Sequence, residues 1–259
     1  MPEGDTIFRA ATVLRRALVG QPLVAFKAPR SETGAFPEDA RVSSVEARGK
    51  HLLIGFSDGR VLHTHLQMSG SWHVYEPTQP WRRPSHQVRA VVRVPEAVAV
   101  CFNAPVVELL RARDLPRHPR LAALGPDLCS PDVDLPEILR RLDQVPAATP
   151  VGVALLDQRV ACGIGNVYKS EVLFARLVDP FAPVGALGGE VRRDLYATAG
   201  RMLRDNLEGG PRRTTPGGLA VYGKTGRPCP RCGSPIASRR QGDAARMTYW
   251  CPRCQRAAS

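Results

Sequence analysis

The chain has 259 residues, 43% of them hydrophobic, and carries 36 Lys and Arg against 24 Asp and Glu for a formal net charge of +12. That length fits two or three domains, and no stretch reaches the ~18 consecutive apolar residues of a membrane span. Glu3 and Asp5 stand early and Arg9, Arg15 and Arg16 interrupt the first apolar stretch, so no signal peptide and a reducing cytoplasm are expected.

In chain order, Asp5 is placed to cap a helix whose apolar residues Ile7, Ala10, Ala11, Leu14, Ala17 and Leu18 recur at three and four, with Gly20 to end it. Short β-rich runs follow at 23–26, 42–45, 51–56, 61–66, 72–75, 88–94 and 97–102, with Asp58-Gly59 as a hairpin turn. After Pro116 the spacing becomes helical over 136–142, 151–158, 166–175 and 190–207. Gly163-Ile164-Gly165-Asn166 lies between two of these helices. Its backbone N–H groups would suit a phosphate at a helix start, although Gly and Asn join many helix pairs for conformational reasons alone.

Four of the seven cysteines form Cys229-x2-Cys232 and Cys251-x2-Cys254, the spacing of a tetrahedral zinc site made from two thiolate knuckles. Such a closed four-thiolate site is structural, because no coordination position is left for a substrate. Cys101, Cys129 and Cys162 read as free thiols without a role. From Gly209 onward ten basic residues face one acid, Asp243. The cysteine module is therefore cationic and points to a polyanionic partner such as a phosphate backbone. Only four of the basic residues in the whole chain are lysines, so a lysine at a particular place says more than an arginine does.

Met1-Pro2-Glu3-Gly4 offers a different chemistry. Removal of Met1 leaves the proline ring nitrogen as the α-amine. A secondary amine attacking an aldehyde carbon forms a permanently charged iminium, an electron sink for breaking bonds further along a sugar. An α-amine is also less basic than a lysine, at roughly 7.7–8.0 against about 10.4. Glu3 stands ready as general acid and base. Taken alone, this opening is common in chains that use it for nothing.

Taken together, the motifs resemble those of the Fpg/Nei family, formamidopyrimidine-DNA glycosylase and endonuclease VIII. The resemblance rests on Met1-Pro2-Glu3-Gly4, Arg48-Gly49-Lys50-His51-Leu52-Leu53, His65-Leu66-Gln67-Met68-Ser69-Gly70, Leu124-Gly125-Pro126-Asp127, Leu156-Asp157-Gln158 with Gly163-Ile164-Gly165-Asn166-Val167-Tyr168, Val221-Tyr222-Gly223, and the cysteine cluster with Tyr249-Trp250-Cys251-Pro252. They fall in family order over nearly the whole chain. The resemblance implies a multi-domain α+β protein: an N-terminal β-sandwich with a leading helix (1–116), a helix-two-turn-helix domain (117–220) and a four-cysteine zinc finger (221–259).

It further implies a cytoplasmic, nucleoid-associated monomer that acts on double-stranded DNA containing oxidised bases or abasic sites, with one structural Zn2+ and no membrane. Such an enzyme flips a damaged nucleotide out, cuts base from sugar and cleaves the strand by β,δ-elimination. In the matching roles Pro2 is the nucleophile at C1′, Glu3 the acid/base, and Lys50 a contact to phosphate near the lesion. Asn166 and Arg246 match phosphate-gripping residues of the helical domain and the finger.

Two departures bear on the substrate, and a third, Thr6, on the tuning of Pro2. Cys101-Phe102 is followed by Asn103-Ala104-Pro105, without the Arg and Phe that purine-directed relatives insert beside the orphaned base. Gap filling then falls to Gln67, Met68 and Ser69, with Met68 as the wedge. Five residues separate Thr215 from Val221, too few for the loop that closes over 8-oxoguanine, so oxidised pyrimidines and abasic sites are the expected substrates. Thr6 stands where many relatives carry a second Glu. The alternatives are a purine-directed glycosylase and a zinc protein that binds damaged DNA without chemistry.

Overall fold

The computed structural model describes residues 2–29 and 35–256; Met1 of the opening motif lies outside them. Backbone contacts divide the chain into two compact units, one ending at Ala122 and one beginning at Ala123.

The first unit opens with α1 (Gly4–Leu18). Its buried residues Ile7, Ala11, Leu14 and Leu18 lie on one stripe because they are spaced at three and four. The strands are β1 (Ala25–Lys27), β2 (Val42–Arg48), β3 (His51–Phe56), β4 (Arg60–His65), β5 (Ser71–Tyr75), β6 (Val88–Val94), β7 (Ala97–Phe102) and β8 (Val106–Arg111). They form two antiparallel sheets, β2-β3-β4-β8 and β1-β6-β7-β5. Leu52, Ile54 and Leu62 of the first sheet, Ala90, Val92, Ala99 and Cys101 of the second and the α1 stripe share one core. This is the expected β-sandwich with a leading helix.

The sheets are also covered on their outer sides. In β7, Ala97, Ala99 and Cys101 belong to the central core while Val98, Val100 and Phe102 form a second cluster with Tyr75. Alternating residues of β3 and β4, namely His51, Leu53, Val61 and His63, are buried on the face of the first sheet away from α1.

The second unit contains α2 (Leu135–Leu142), the single turn α3 (Val151–Ala154), α4 (Asn166–Ala175), α5 (Gly189–Arg204), and the hairpin β9 (Ala237–Gln241) and β10 (Arg246–Trp250). Every residue of α4 from Asn166 to Phe174 is buried, as expected of a helix enclosed on all sides. It packs against α5, α3 and β10.

Several elements differ from expectation. The α1 N-cap is Glu3, whose carbonyl accepts from Thr6 N and Ile7 N, while Asp5 lies within the first turn and pairs with Arg9 at 3.6 Å. β8 lies beyond the last expected strand run, and Val106 to Leu110 are all half-buried, so no polar alternation marks it. The expected helix over 151–158 stops at Ala154. Asp157 Oδ1 there accepts from Arg159 N, and the Gln158 amide donates to Leu156 O and Ile164 O, so side chains replace the helical ladder. Cys101, Cys129 and Cys162, by contrast, are as expected buried and outside any disulfide.

Candidate functional site

In the first unit Glu3 is fully buried at the α1 N-cap and Pro2, immediately before it, is half-buried. The aligned peptide dipoles of a 15-residue helix put about half a positive charge at that end. A carboxylate is favoured there and a protonated amine is disfavoured. The Thr6 hydroxyl donates to Asp5 Oδ1 at 3.3 Å, so the residue standing in place of a second Glu is tied into the same acidic turn.

Lys50 lies in the Gly49-Lys50 turn between β2 and β3, closed by the Arg48–His51 pair. Gly49 takes φ +57°, a region where a Cβ is unfavourable. Burial, then the Lys50 charge, lowers the His65 pKa to about 4. Gln67, Met68 and Ser69 form the turn that follows β4, closed by Gly70 N donating to Leu66 O at 2.8 Å. Met68 is 64% exposed at its tip, and Gln67 is held at φ +47°. Ser69 Oγ donates to the carbonyl of Asn103, itself at φ +51°. Two adjoining loops thus each carry a non-glycine residue in the left-handed region, a strain that collects at functional surfaces.

In the second unit Asn166 begins α4, and its side-chain amide donates to Met247 O at 2.7 Å, one residue from Arg246. Asn166 Oδ1 is buried without a hydrogen bond. Lys169, one turn later, is fully buried and donates to Thr248 Oγ1 at 2.7 Å, which donates in turn to Gln241 Oε1 at 2.8 Å. Tyr249 N donates to Ser170 Oγ and Gln255 Nε2 to Val178 O. β10, the strand that carries Arg246, is therefore fixed along its length to α4. Asp157, Lys169, Asp243 and Arg246 border a cleft of about 260 Å³. A larger cavity, about 530 Å³, includes none of the expected site residues; the guanidiniums lining it pair with Glu137 and Asp157.

The four cysteines converge. Cys229 Sγ lies 3.9 Å from Cys254 Sγ, and Cys232 Sγ 3.5 Å from Cys251 Sγ. Tetrahedral Zn–S bonds of about 2.3 Å place sulfurs about 3.8 Å apart, so the donor set fits one zinc ion with little movement. Arg231 N donates to Cys229 Sγ at 3.4 Å, and Gly233 N to Cys229 O and Gln255 N to Cys251 O at 2.9 Å each, the tight backbone turns that bring both sulfurs of a pair to one point.

Three family models match the chain. Residues 1–105 match the formamidopyrimidine-DNA glycosylase N-terminal domain, 124–215 its H2TH domain, and 226–257 the zinc finger found in FPG and IleRS. The "Probable endonuclease 8 2" of Streptomyces coelicolor is 43% identical, over 98% of this chain and 94% of that protein. The chain belongs to the formamidopyrimidine-DNA glycosylase and endonuclease VIII family. It is a DNA glycosylase with AP lyase activity in base excision repair, and its cysteine module is a structural zinc finger. The "DNA-(apurinic or apyrimidinic site) lyase Nei2" of Mycolicibacterium smegmatis is 38% identical over the full length of both chains. The fold is that of Lactococcus lactis Fpg solved in complex with DNA containing an abasic site: TM-score 0.83, 22% identity, 99% of this chain and 100% of that one.

Sequence reasoning alone did not find every residue that builds a site in this glycosylase. Gln158 Oε1 accepts from Gly163 N at 3.1 Å and its amide donates to Ile164 O, so its side chain holds the start of the Gly-rich turn. Glu171 is fully buried and accepts from the backbone N–H groups of Ala220, Val221 and Tyr222 and from the Thr214 hydroxyl. Lys169 had a signal in the scarcity of lysine. Gln158 stood in the sequence only as part of the Leu156-Asp157-Gln158 motif, and Glu171 had no signal, because its partners lie in the folded backbone.

Proposed function

We propose that this glycosylase works through Pro2, with oxidised pyrimidines and abasic sites in double-stranded DNA as its preferred substrates. The observation that carries the reading is the buried Glu3 at the α1 N-cap with Pro2 directly outside it. After removal of Met1, the helix N-terminus favours the neutral amine over the ammonium. The proline nitrogen attacks C1′ and the base leaves with the glycosidic electron pair. Glu3 takes the proton that the attacking proline nitrogen loses and passes it to the ring oxygen O4′ as the sugar opens to an iminium. Loss of the C2′ proton into that sink expels the 3′ phosphate, and a second elimination expels the 5′ phosphate.

Lys50 contacts the phosphate near the lesion from its hairpin turn. Asn166 and Arg246 grip the flanking phosphates, the first also fixing the strand that carries the second. Met68, exposed on its turn, fills the gap with Gln67 beside it. The pyrimidine preference is supported by the Asn103 loop, which has neither Arg nor Phe to insert. It is also supported by the tight Thr215–Gly218 turn, which leaves little chain to close over a purine. The same reading assigns catalysis to 1–116, helix-two-turn-helix DNA binding to 117–220 and the finger, with one zinc, to 221–259. The protein acts as a monomer at the nucleoid.

Borohydride trapping on duplexes bearing an abasic site, an oxidised pyrimidine or 8-oxoguanine tests the proposal. Demethionylated protein should give a covalent adduct, strongest on the first two. No adduct on any duplex would leave a damage-binding protein without chemistry, and an adduct strongest on 8-oxoguanine opposite cytosine would reassign it to the purine-directed branch.

A further inference from the structure

Four of the six histidines in the chain collect on the outer face of the first sheet. His51 and His65 pair across β3 and β4, with ring centroids 4.7 Å apart. His63 stands opposite Glu108 across β4 and β8. His118, just past the 3₁₀ turn Ala112–Arg117, comes back to the same point, its ring centroid 5.3 Å from that of His63. His63 Nδ1 is 2.9 Å and His118 Nε2 3.1 Å from the same Glu108 oxygen, Oε2. On the other side of the His63 ring, Nε2 is 2.8 Å from His51 Nδ1. None of these side chains has a part in the base-excision chemistry above.

We propose that His63, Glu108 and His118 form a second metal site, for a divalent transition ion such as Zn2+. One ligand atom from each lies within 4.8 Å of the others. A tetrahedral ion with Zn–N and Zn–O bonds of about 2.0–2.1 Å holds its donors about 3.3 Å apart, so the distances of 2.9 and 3.1 Å to Glu108 open slightly, and the two imidazole nitrogens, within 4.8 Å of each other, adjust to the same value. Two imidazoles and a carboxylate are a zinc donor set that leaves a fourth position for water. His51 supplies the outer partner that orients a ligating imidazole through its second nitrogen. Glu108, 42% exposed, leaves a path for the ion.

Two features oppose binding. His118 Nδ1 accepts from Leu121 N at 3.3 Å, which favours a proton on Nε2; ligation through Nε2 moves that proton and exchanges this hydrogen bond for the metal bond. The charge of Arg120 acts on His51, His63 and His65, so the donor geometry rather than the surrounding field must hold the cation. Without metal, Glu108 takes two imidazole N–H bonds; with metal, the same three groups face one ion. The ion would tie β4 and β8 to the segment that leaves the sandwich.

Cobalt titration of the whole chain carrying one zinc per chain tests the site, because the four thiolates of the finger hold that zinc and leave the second site open to cobalt. The wild type should take up one further Co2+ per chain, with visible ligand-field bands, without a thiolate-to-cobalt charge-transfer band, and with a rise in Tm. His118→Ala and Glu108→Gln should each lose that uptake and that rise while retaining the finger zinc. A wild type that holds only the finger metal in excess cobalt overturns the proposal, and this result needs no variant. Undiminished uptake in both variants, or an added ion carrying the thiolate band, overturns it as well.

Discussion

At the scale of single residues, what separates Arg246 from the other arginines of the cationic finger is its support. The residue next to it, Met247, is held through its carbonyl by the Asn166 amide, so the guanidinium is presented from a fixed backbone. Arg246→Ala should weaken binding to all duplexes alike and lower the salt slope of log K by about one unit; an unchanged slope would mean that Arg246 is only surface charge. Asn166→Ala removes one neutral hydrogen bond and leaves Met247 O unpartnered, at about 1 kcal/mol. Urea titration should register that loss, and DNA affinity should fall too if Asn166 makes the phosphate contact proposed for it. Pro2→Gly should keep DNA binding and lose most strand cleavage in a gel assay. Wild-type cleavage would make another amine the nucleophile.

At the scale of elements, the finger holds little apolar core of its own. Its buried cluster consists of Cys229, Cys251, Ile236, Ala220 and Val221 closed by Phe174 of α4, so two of the core residues are also metal ligands. Chelation of zinc should therefore unfold β9 and β10 and abolish DNA binding, while the sandwich, which has a separate core, keeps its structure. Far-UV circular dichroism followed alongside DNA affinity would check both halves of that expectation. Glu171 has the corresponding role for the connection between α5 and the finger, accepting from three consecutive N–H groups. Glu171→Gln replaces one of the two acceptor oxygens by a donor facing those groups, a loss of about 3 kcal/mol. Hydrogen exchange over 214–222 should accelerate; unchanged exchange would show that the turn stands without the clamp.

At the scale of the whole molecule, the buried histidines set how stability responds to acid. Burial, with the neighbouring histidines, lowers His51 to about 3, and burial with the Lys50 charge lowers His65 to about 4, whereas an unfolded histidine titrates near 6.5. Between those values the unfolded chain binds the proton and the folded chain does not. Stability is therefore full above about pH 6.5 and falls as the pH drops toward 4 and 3. At pH 5 each ring contributes a loss of about 2 kcal/mol. Thermal melts at pH 7.5, 6 and 5 should show Tm falling by several degrees, and His65→Asn should flatten that fall. A Tm independent of pH over this range would place these rings in contact with water.

The sequence alone determined the leading helix, most of the strands and the cysteine module. Each of those signals is local: a period of 3.6 or 2, or a fixed ligand spacing. The tertiary structure decided that Glu3 rather than Asp5 caps α1, that the helix after Pro150 stops at Ala154, and that β8 completes the first sheet. It also decided that Lys169 and Glu171 are buried anchors and that four histidines distant in sequence share one face. These depend on which backbone donors and side chains meet after folding, and no period or spacing along the chain encodes the partner of a buried charge.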